Sequence, residues 1–128
     1  VKNMGKRLSI KGHPTRGKEV IELLEMLGGD NSDTQCRGIE VDFYYYIDTY
    51  GCINYEDCFI IDEAEIFTLE EFLERFPYKV GDEFCNPYDK ITEMFWDEED
   101  EIVYYKTEYS RDYVTTTDIM LDNYARIK

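Results

Sequence analysis

Charge is unevenly divided along this chain, and that division limits what it can fold into. Lys2, Lys6, Arg7, Lys11, Arg16 and Lys18 fall within the first eighteen residues, which hold no acid. From Glu19 onward eight bases face twenty-nine acids, a balance of −21. A body so negative folds only if its apolar content outweighs self-repulsion. Acidic chains that stay disordered lack apolar and aromatic residues. Here 43% of residues are hydrophobic and 16% aromatic, so a packed core is expected, and 128 residues fit one compact unit.

Residues 1–14 combine bases with Gly5, Gly12 and Pro14 and read as a flexible basic arm. Val20, Ile21, Leu23, Leu24 and Leu27 then recur at helical spacing. Thr15 stands at the N-cap position and Gly28-Gly29 at the left-handed stop, so a helix is expected over 16–27. Beyond the polar loop Asp30–Gly38, alternation begins. Ile39, Val41, Phe43, Tyr45 and Ile47 point one way; Glu40, Asp42, Tyr44, Tyr46 and Asp48 point the other. A half-buried strand is therefore expected over 39–48, with a turn at Asp48–Gly51, a hairpin partner at Cys52–Tyr55 and a short strand at Phe59–Ile61.

A second helix announces itself at Thr68-x-x-Glu71, a capping box. Phe67 and Phe72 flank it as a hydrophobic staple, and Pro77 closes it. From Tyr78 the pattern is strand-rich. Val80-Gly81-Asp82 makes a turn, Phe84 lies in a strand, and Ile91–Trp96 and Ile102–Tyr109 flank the acidic run Asp97–Glu101 as a hairpin. Tyr113–Thr117 reads as a further strand and Asp118–Leu121 as a helical turn. The expected class is α+β: a helix–β-hairpin–helix lobe over 15–77, then a small antiparallel lobe over 78–128 resembling an SH3-like barrel in shape.

Catalytic signatures are missing. The sequence has no phosphate-binding glycine loop, nucleophile elbow or H-E-x-x-H, and its single histidine, His13, sits in the basic arm. A non-enzyme without cofactors is expected. Cys36, Cys52, Cys58 and Cys85 include no C-x-x-C pair, which favours free thiols in a reducing cytoplasm over zinc or disulfides. Asp30–Asp33 and Asp97–Glu101 lack the central glycine and distal glutamate of a calcium loop. No apolar run approaches the roughly 20 residues of a membrane span, and no apolar segment follows the basic start. The host cytoplasm is the expected location, with no membrane partner. Nor does a −21 surface suit phosphates, so direct nucleic-acid binding is not expected.

The charge instead suits a basic partner. Along the expected strand face, Glu40, Asp42, Tyr44, Tyr46 and Asp48 would repeat every ~6.6 Å, twice the rise per residue and close to successive phosphates on a nucleic-acid strand. Tyrosines interleaved with acids bury area at low entropic cost. Asp97, Glu98, Glu99, Asp100 and Glu101 extend the negative surface.

Three segments carry a resemblance: Thr15-Arg16-Gly17-Lys18-Glu19-Val20-Ile21-Glu22-Leu23-Leu24 ending Leu27-Gly28-Gly29; Phe67-Thr68-Leu69-Glu70-Glu71-Phe72-Leu73-Glu74-Arg75-Phe76-Pro77; and Tyr78-Lys79-Val80-Gly81-Asp82. Together they resemble small uncharacterised acidic proteins of bacteriophages and gut bacteria. By class and charge the chain is similar to phage anti-CRISPR and other anti-defence inhibitors, some of which imitate DNA. The resemblance implies an inhibitor that occupies the basic nucleic-acid cleft of a bacterial defence nuclease. The alternative is a small interaction, accessory or virion module whose acidity only confers solubility.

Overall fold

The basic segment is where the structure first departs from expectation. A computed structural model describes residues 7–32, 35–57, 64–85, 88–121 and 125–126, and in it Arg7–Lys11 form a strand, β1. Leu8 and Ile10 turn inward, 7% and 0% exposed. The flexible arm expected over 1–14 is thus corrected for residues 7–11, while residues 1–6 lie outside the described residues. The physical reason is a period of two, Arg7-Leu8-Ser9-Ile10-Lys11, whose two apolar side chains both find a core.

β1 is an inner strand of a four-stranded sheet ordered β3-β2-β1-β4, with β2 at Tyr44–Ile47, β3 at Ile53–Glu56 and β4 at Ala64–Phe67. It runs antiparallel to β2 and parallel to β4. Parallel pairing needs a long crossover, supplied here by helix α1 (Gly17–Met26) and the β2–β3 hairpin. The expected helix–hairpin–helix lobe is therefore larger: β1 and β4 join the hairpin in one mixed sheet.

α1 buries Val20, Ile21, Leu23 and Leu24, and Gly28 with φ +105° closes it as expected. Its N-cap is Arg16, not Thr15. The Arg16 side chain makes no cap hydrogen bond; just upstream, His13 Nδ1 accepts from the backbone N–H groups of Thr15 at 3.2 Å and Arg16 at 3.0 Å.

The strand expected over 39–48 is shortened to Tyr44–Ile47. Ile39 and Val41, expected inside, are exposed. Residues 38–43 instead fold against the β1–α1 connection. His13 donates its N–H to the Gly38 carbonyl, Gly12 to that of Phe43, and Phe43 turns back onto Glu40. Gly12 approaches so closely that a Cβ there would stand 2.0 Å from the Glu40 carbonyl oxygen. The turn at 48–51 and the hairpin partner form as expected; the strand expected at Phe59–Ile61 lies outside the described residues.

Helix α2 (Leu69–Arg75) carries the full capping box, with Thr68 Oγ1 accepting from Glu71 N–H at 3.1 Å and Glu71 Oε1 from Thr68 N–H at 3.0 Å. Phe67 and Phe72 meet edge to face, 5.7 Å between centroids. β5 (Glu83–Cys85), β6 (Asp89–Asp97), β7 (Ile102–Thr107), β8 (Val114–Thr115), helix α3 (Thr116–Leu121) and β9 (Ala125–Arg126) complete the chain. Their sheet is antiparallel in the order β8-β7-β6-β5-β9. The fold is α+β, with two small sheets and three helices. One apolar core joins the sheets, bridged where Trp96 of β6 packs edge-on against Phe67 and Phe76 at 6.1 Å. Among the described residues no helix is long and apolar enough to cross a membrane.

Candidate partner-binding site

Glu40, Asp42, Tyr44, Tyr46 and Asp48 do not form one row. Only Tyr44 and Tyr46 lie on β2. Glu40 sits in the preceding turn, where its Oε1 accepts from the Tyr45 hydroxyl at 2.7 Å and Oε2 lies 3.7 Å from Arg37. Burial, and then this carboxylate, push the Tyr45 phenol above the usual tyrosine range. Asp42 is exposed. Asp48 organises the hairpin turn: its Oδ1 accepts from the N–H groups of Tyr50 at 2.9 Å and Cys52 at 3.0 Å. The Cys52 bond, the largest influence, holds its pKa below the ordinary aspartate value.

Two cations of the neighbouring β1 also cross this face. Register places Lys11 opposite Tyr44, with its ammonium 5.7 Å from the Tyr44 ring centroid. The Arg7 guanidinium lies 5.3 Å from that of Tyr46, whose hydroxyl donates to Glu56 at 3.1 Å. The positive charges of Lys11 and Arg7 offset part of the negative field on this face, as Lys106 does beside Tyr113 on the second sheet.

The second acidic segment holds together. Asp97–Glu101 forms the tip joining β6 to β7, ordered by Asp97: its carbonyl accepts from Glu101 N–H and its Oδ2 from Asp100 N–H, both at 2.7 Å. Glu98, Glu99 and Asp100 are exposed. The register of β6 on β7 pairs Glu93 with Lys106, Phe95 with Tyr104 and Asp97 with Ile102, so these side chains share a face.

On that face Phe95 stacks on Tyr104, 5.7 Å between centroids, and meets Tyr113 edge-on at 4.8 Å. Tyr104 donates its hydroxyl to Asp100 at 2.6 Å and Tyr113 donates to Glu93 at 3.3 Å. The Asp100 hydrogen bond, followed by burial and by the charges of Asp100, Asp97 and Asp118, raises the Tyr104 pKa. Lys106 lies over the Tyr113 ring at 5.7 Å. Phenols backed by carboxylates make a surface that accepts cations and resists anions. Sequence reasoning found the acidic tip and missed its aromatic neighbours. Their signal was the alternation Glu93, Phe95, Asp97 along one strand and Tyr104, Lys106 along the next.

Beside the tip lies a cavity of ≈ 130 Å³, where Leu8, Leu24, Leu27, Ile47 and Trp96 converge between the two sheets. Glu98 and Arg7 stand at its exposed side.

The remaining polar clusters are structural ties. His13 donates from Nε2 to Glu70 Oε2 at 2.8 Å while its Nδ1 serves α1, so the first turn of α2 is tied to the start of α1. Arg16 donates twice to Glu19, at 2.7 and 2.9 Å. Asp89, 3% exposed, accepts from the Thr107 hydroxyl at 2.7 Å and from the N–H groups of Lys90 and Tyr109, pinning β6 to the end of β7. Cys85 is a free thiol and the Cys36 thiol donates to the Ile53 carbonyl at 3.7 Å; Cys58 lies outside the described residues.

Comparison with protein-family models, with curated proteins and with solved structures gives no match.

Proposed function

We propose that this chain is a non-enzymatic binding protein that engages a basic surface of another protein through the β6–β7 hairpin. One observation carries the reading: five consecutive acids held on an ordered tip, continuous with a face of Phe95, Tyr104 and Tyr113 whose two hydroxyls already bond carboxylates. Such a surface steers toward cations at long range and presents aromatic area for close contact.

The partner class we propose is a protein that handles nucleic acid through a basic cleft, foremost a bacterial defence nuclease such as a CRISPR effector. The chain would be a phage- or mobile-element-encoded inhibitor that imitates DNA there, binding neither nucleic acid nor membrane itself. The charge balance of −21 beyond residue 18 and the lack of catalytic signatures support this reading. The acidic tip takes the role first expected of Glu40, Asp42, Tyr44, Tyr46 and Asp48. We also infer an SH3-like arrangement for β5–β9. The order β8-β7-β6-β5-β9, the helical turn α3 before β9 and the register irregularity between Ile91 and Glu93 in β6 support it.

A second reading has its own support. Glu40 and Asp48 are engaged within the chain, as they would be in an accessory module whose acidity only maintains solubility. Pull-down from bacterial lysate expressing candidate defence nucleases, repeated with Glu98→Lys and Glu99→Lys together, separates the two. Capture that disappears in the variant and weakens with salt supports mimicry, since screening acts over about 10 Å at 0.1 M. Capture that survives both changes assigns the protein to the second reading.

A further inference from the structure

We propose that the cavity between the sheets is an anchor pocket, receiving one leucine-sized apolar side chain from a basic segment of the partner. This rests on the binding reading above and adds what the acidic tip alone cannot supply, a contact that depends on shape. Leu8, Leu24, Leu27, Ile47, Phe95 and Trp96 supply the apolar part of the lining, and the volume is ≈ 130 Å³. An enclosed, wholly apolar cavity of about 150 Å³ accepts a benzene-sized guest; this one is similar in size and opens at Arg7 and Glu98. Burying a single apolar anchor in a preformed pocket is how interfaces concentrate their affinity.

The occupant's flanking charge follows from the mouth. Glu98 stands there, and the acids Glu99, Asp100 and Glu101 follow it in sequence along the tip, so a segment leaving the mouth toward the tip enters an acidic surface. Arg7, the other exposed lining residue, has its guanidinium 5.3 Å from the Tyr46 ring centroid. A lysine- or arginine-rich segment with one apolar residue is complementary to both features. An acidic or uniformly polar segment is complementary to neither.

The test uses the full chain and two fluorescently labelled probes, a tetralysine peptide with a central leucine and its twin with a central alanine. Trp96 is the chain's one tryptophan, so its emission reports the pocket while anisotropy reports binding. The expected result is roughly tenfold or greater preference for the leucine peptide. The leucine peptide alone should shift Trp96 emission, and both should weaken as salt rises. Ile47→Phe, which fills the pocket, should erase the preference and leave the salt dependence. Equal, salt-sensitive binding of the two peptides overturns the anchor pocket and leaves the acidic surface standing. Absence of binding by both at low salt overturns the pocket and the binding reading together. The comparison on the unaltered protein decides the matter even if Ile47→Phe does not fold.

Discussion

The Tyr45 hydroxyl donates to Glu40 Oε1 across 2.7 Å, tying the inner face of β2 to the turn that precedes it. Tyr45 is 1% exposed, so Glu40 is the polar end of a core residue. Tyr45→Phe should cost about 1–2 kcal/mol of unfolding free energy, the range for a hydrogen bond to a charged acceptor at a partly exposed site. Urea denaturation measures it. A loss below a few tenths of a kcal/mol would return Glu40 to the solvent-facing acids.

Tyr105 offers the opposite case. It is fully buried, its hydroxyl close to that of Thr116 and to the Tyr78 backbone, yet among the described residues neither hydroxyl has a well-formed hydrogen bond. Tyr105→Phe removes an unsatisfied polar atom and should be neutral or stabilising by up to about 1 kcal/mol. The same urea experiment reads it, and a clear destabilisation would show that the hydroxyl is satisfied in solution.

Both phenols shape the alkaline limit. Burial raises Tyr105 to about 12 and places Tyr45 higher still than an ordinary tyrosine. In the unfolded chain they lose protons near pH 10. Their contribution is therefore complete below pH 10 and lost as pH rises toward the folded values, because the unfolded state releases protons first. Tyrosinate absorbance should rise in two stages, exposed phenols first and the buried pair only with unfolding. Tyr45→Phe with Tyr105→Phe should remove their share of the second stage.

At the acid end, Arg16 chiefly holds the Glu19 carboxyl below its usual value. The Glu70 carboxyl is lowered by its own backbone N–H and then by His13. Depressed carboxylate pKa values stabilise above the unfolded range and lose that contribution as pH falls through the folded values. Arg16→Ala should therefore lower stability at neutral pH slightly and flatten its fall below about pH 4.3. Thermal melts across that range test the sign; an unchanged slope would show that the ion pair does not form in solution.

The sequence disclosed those elements whose signals are local. The Thr68–Glu71 capping box, the Gly28 stop and the Asp97–Glu101 hairpin tip are each written in a handful of adjacent residues, and each formed as expected. β1 was equally local, an alternation of five residues, but its lysine and arginine content made it look like an arm. What was not legible is tertiary. Nothing within 39–43 shows that this stretch must lie on Gly12 and give up its strand. Nor does anything in β1 alone show that Arg7 and Lys11 would cover Tyr46 and Tyr44. The aromatic face at Phe95, Tyr104 and Tyr113 needed the register between strands before its members could be seen as neighbours.

That close approach carries its own prediction. Gly12→Ala places a methyl 2.0 Å from a backbone oxygen, which no side-chain rotation relieves. Gly38 combines φ +74° with a Cβ that would stand 2.3 Å from the Gly17 carbonyl oxygen. Each alanine substitution should cost at least about 2 kcal/mol, at the upper end for overpacked sites. Gly51, with φ +83° but open space around it, should lose only about 1 kcal/mol as alanine, the usual left-handed penalty. Equal losses at all three sites would remove the crossing as the reason the expected strand stops short.

Reversing the hairpin charges should separate binding from folding. Glu98 and Glu99 are exposed, within a run of five acids that repel one another. Glu98→Lys with Glu99→Lys should leave the melting temperature unchanged or raise it slightly. Asp48→Lys, which removes the acceptor for two turn amides, should cost about 1–3 kcal/mol. Against a basic partner the order inverts. The hairpin variant should slow association severalfold at low salt and lose most of its salt dependence, whereas Asp48→Lys should retain binding wherever it remains folded. Stopped-flow association at two ionic strengths measures this. If Asp48→Lys weakened binding while the hairpin variant did not, the contact surface would belong to the first sheet.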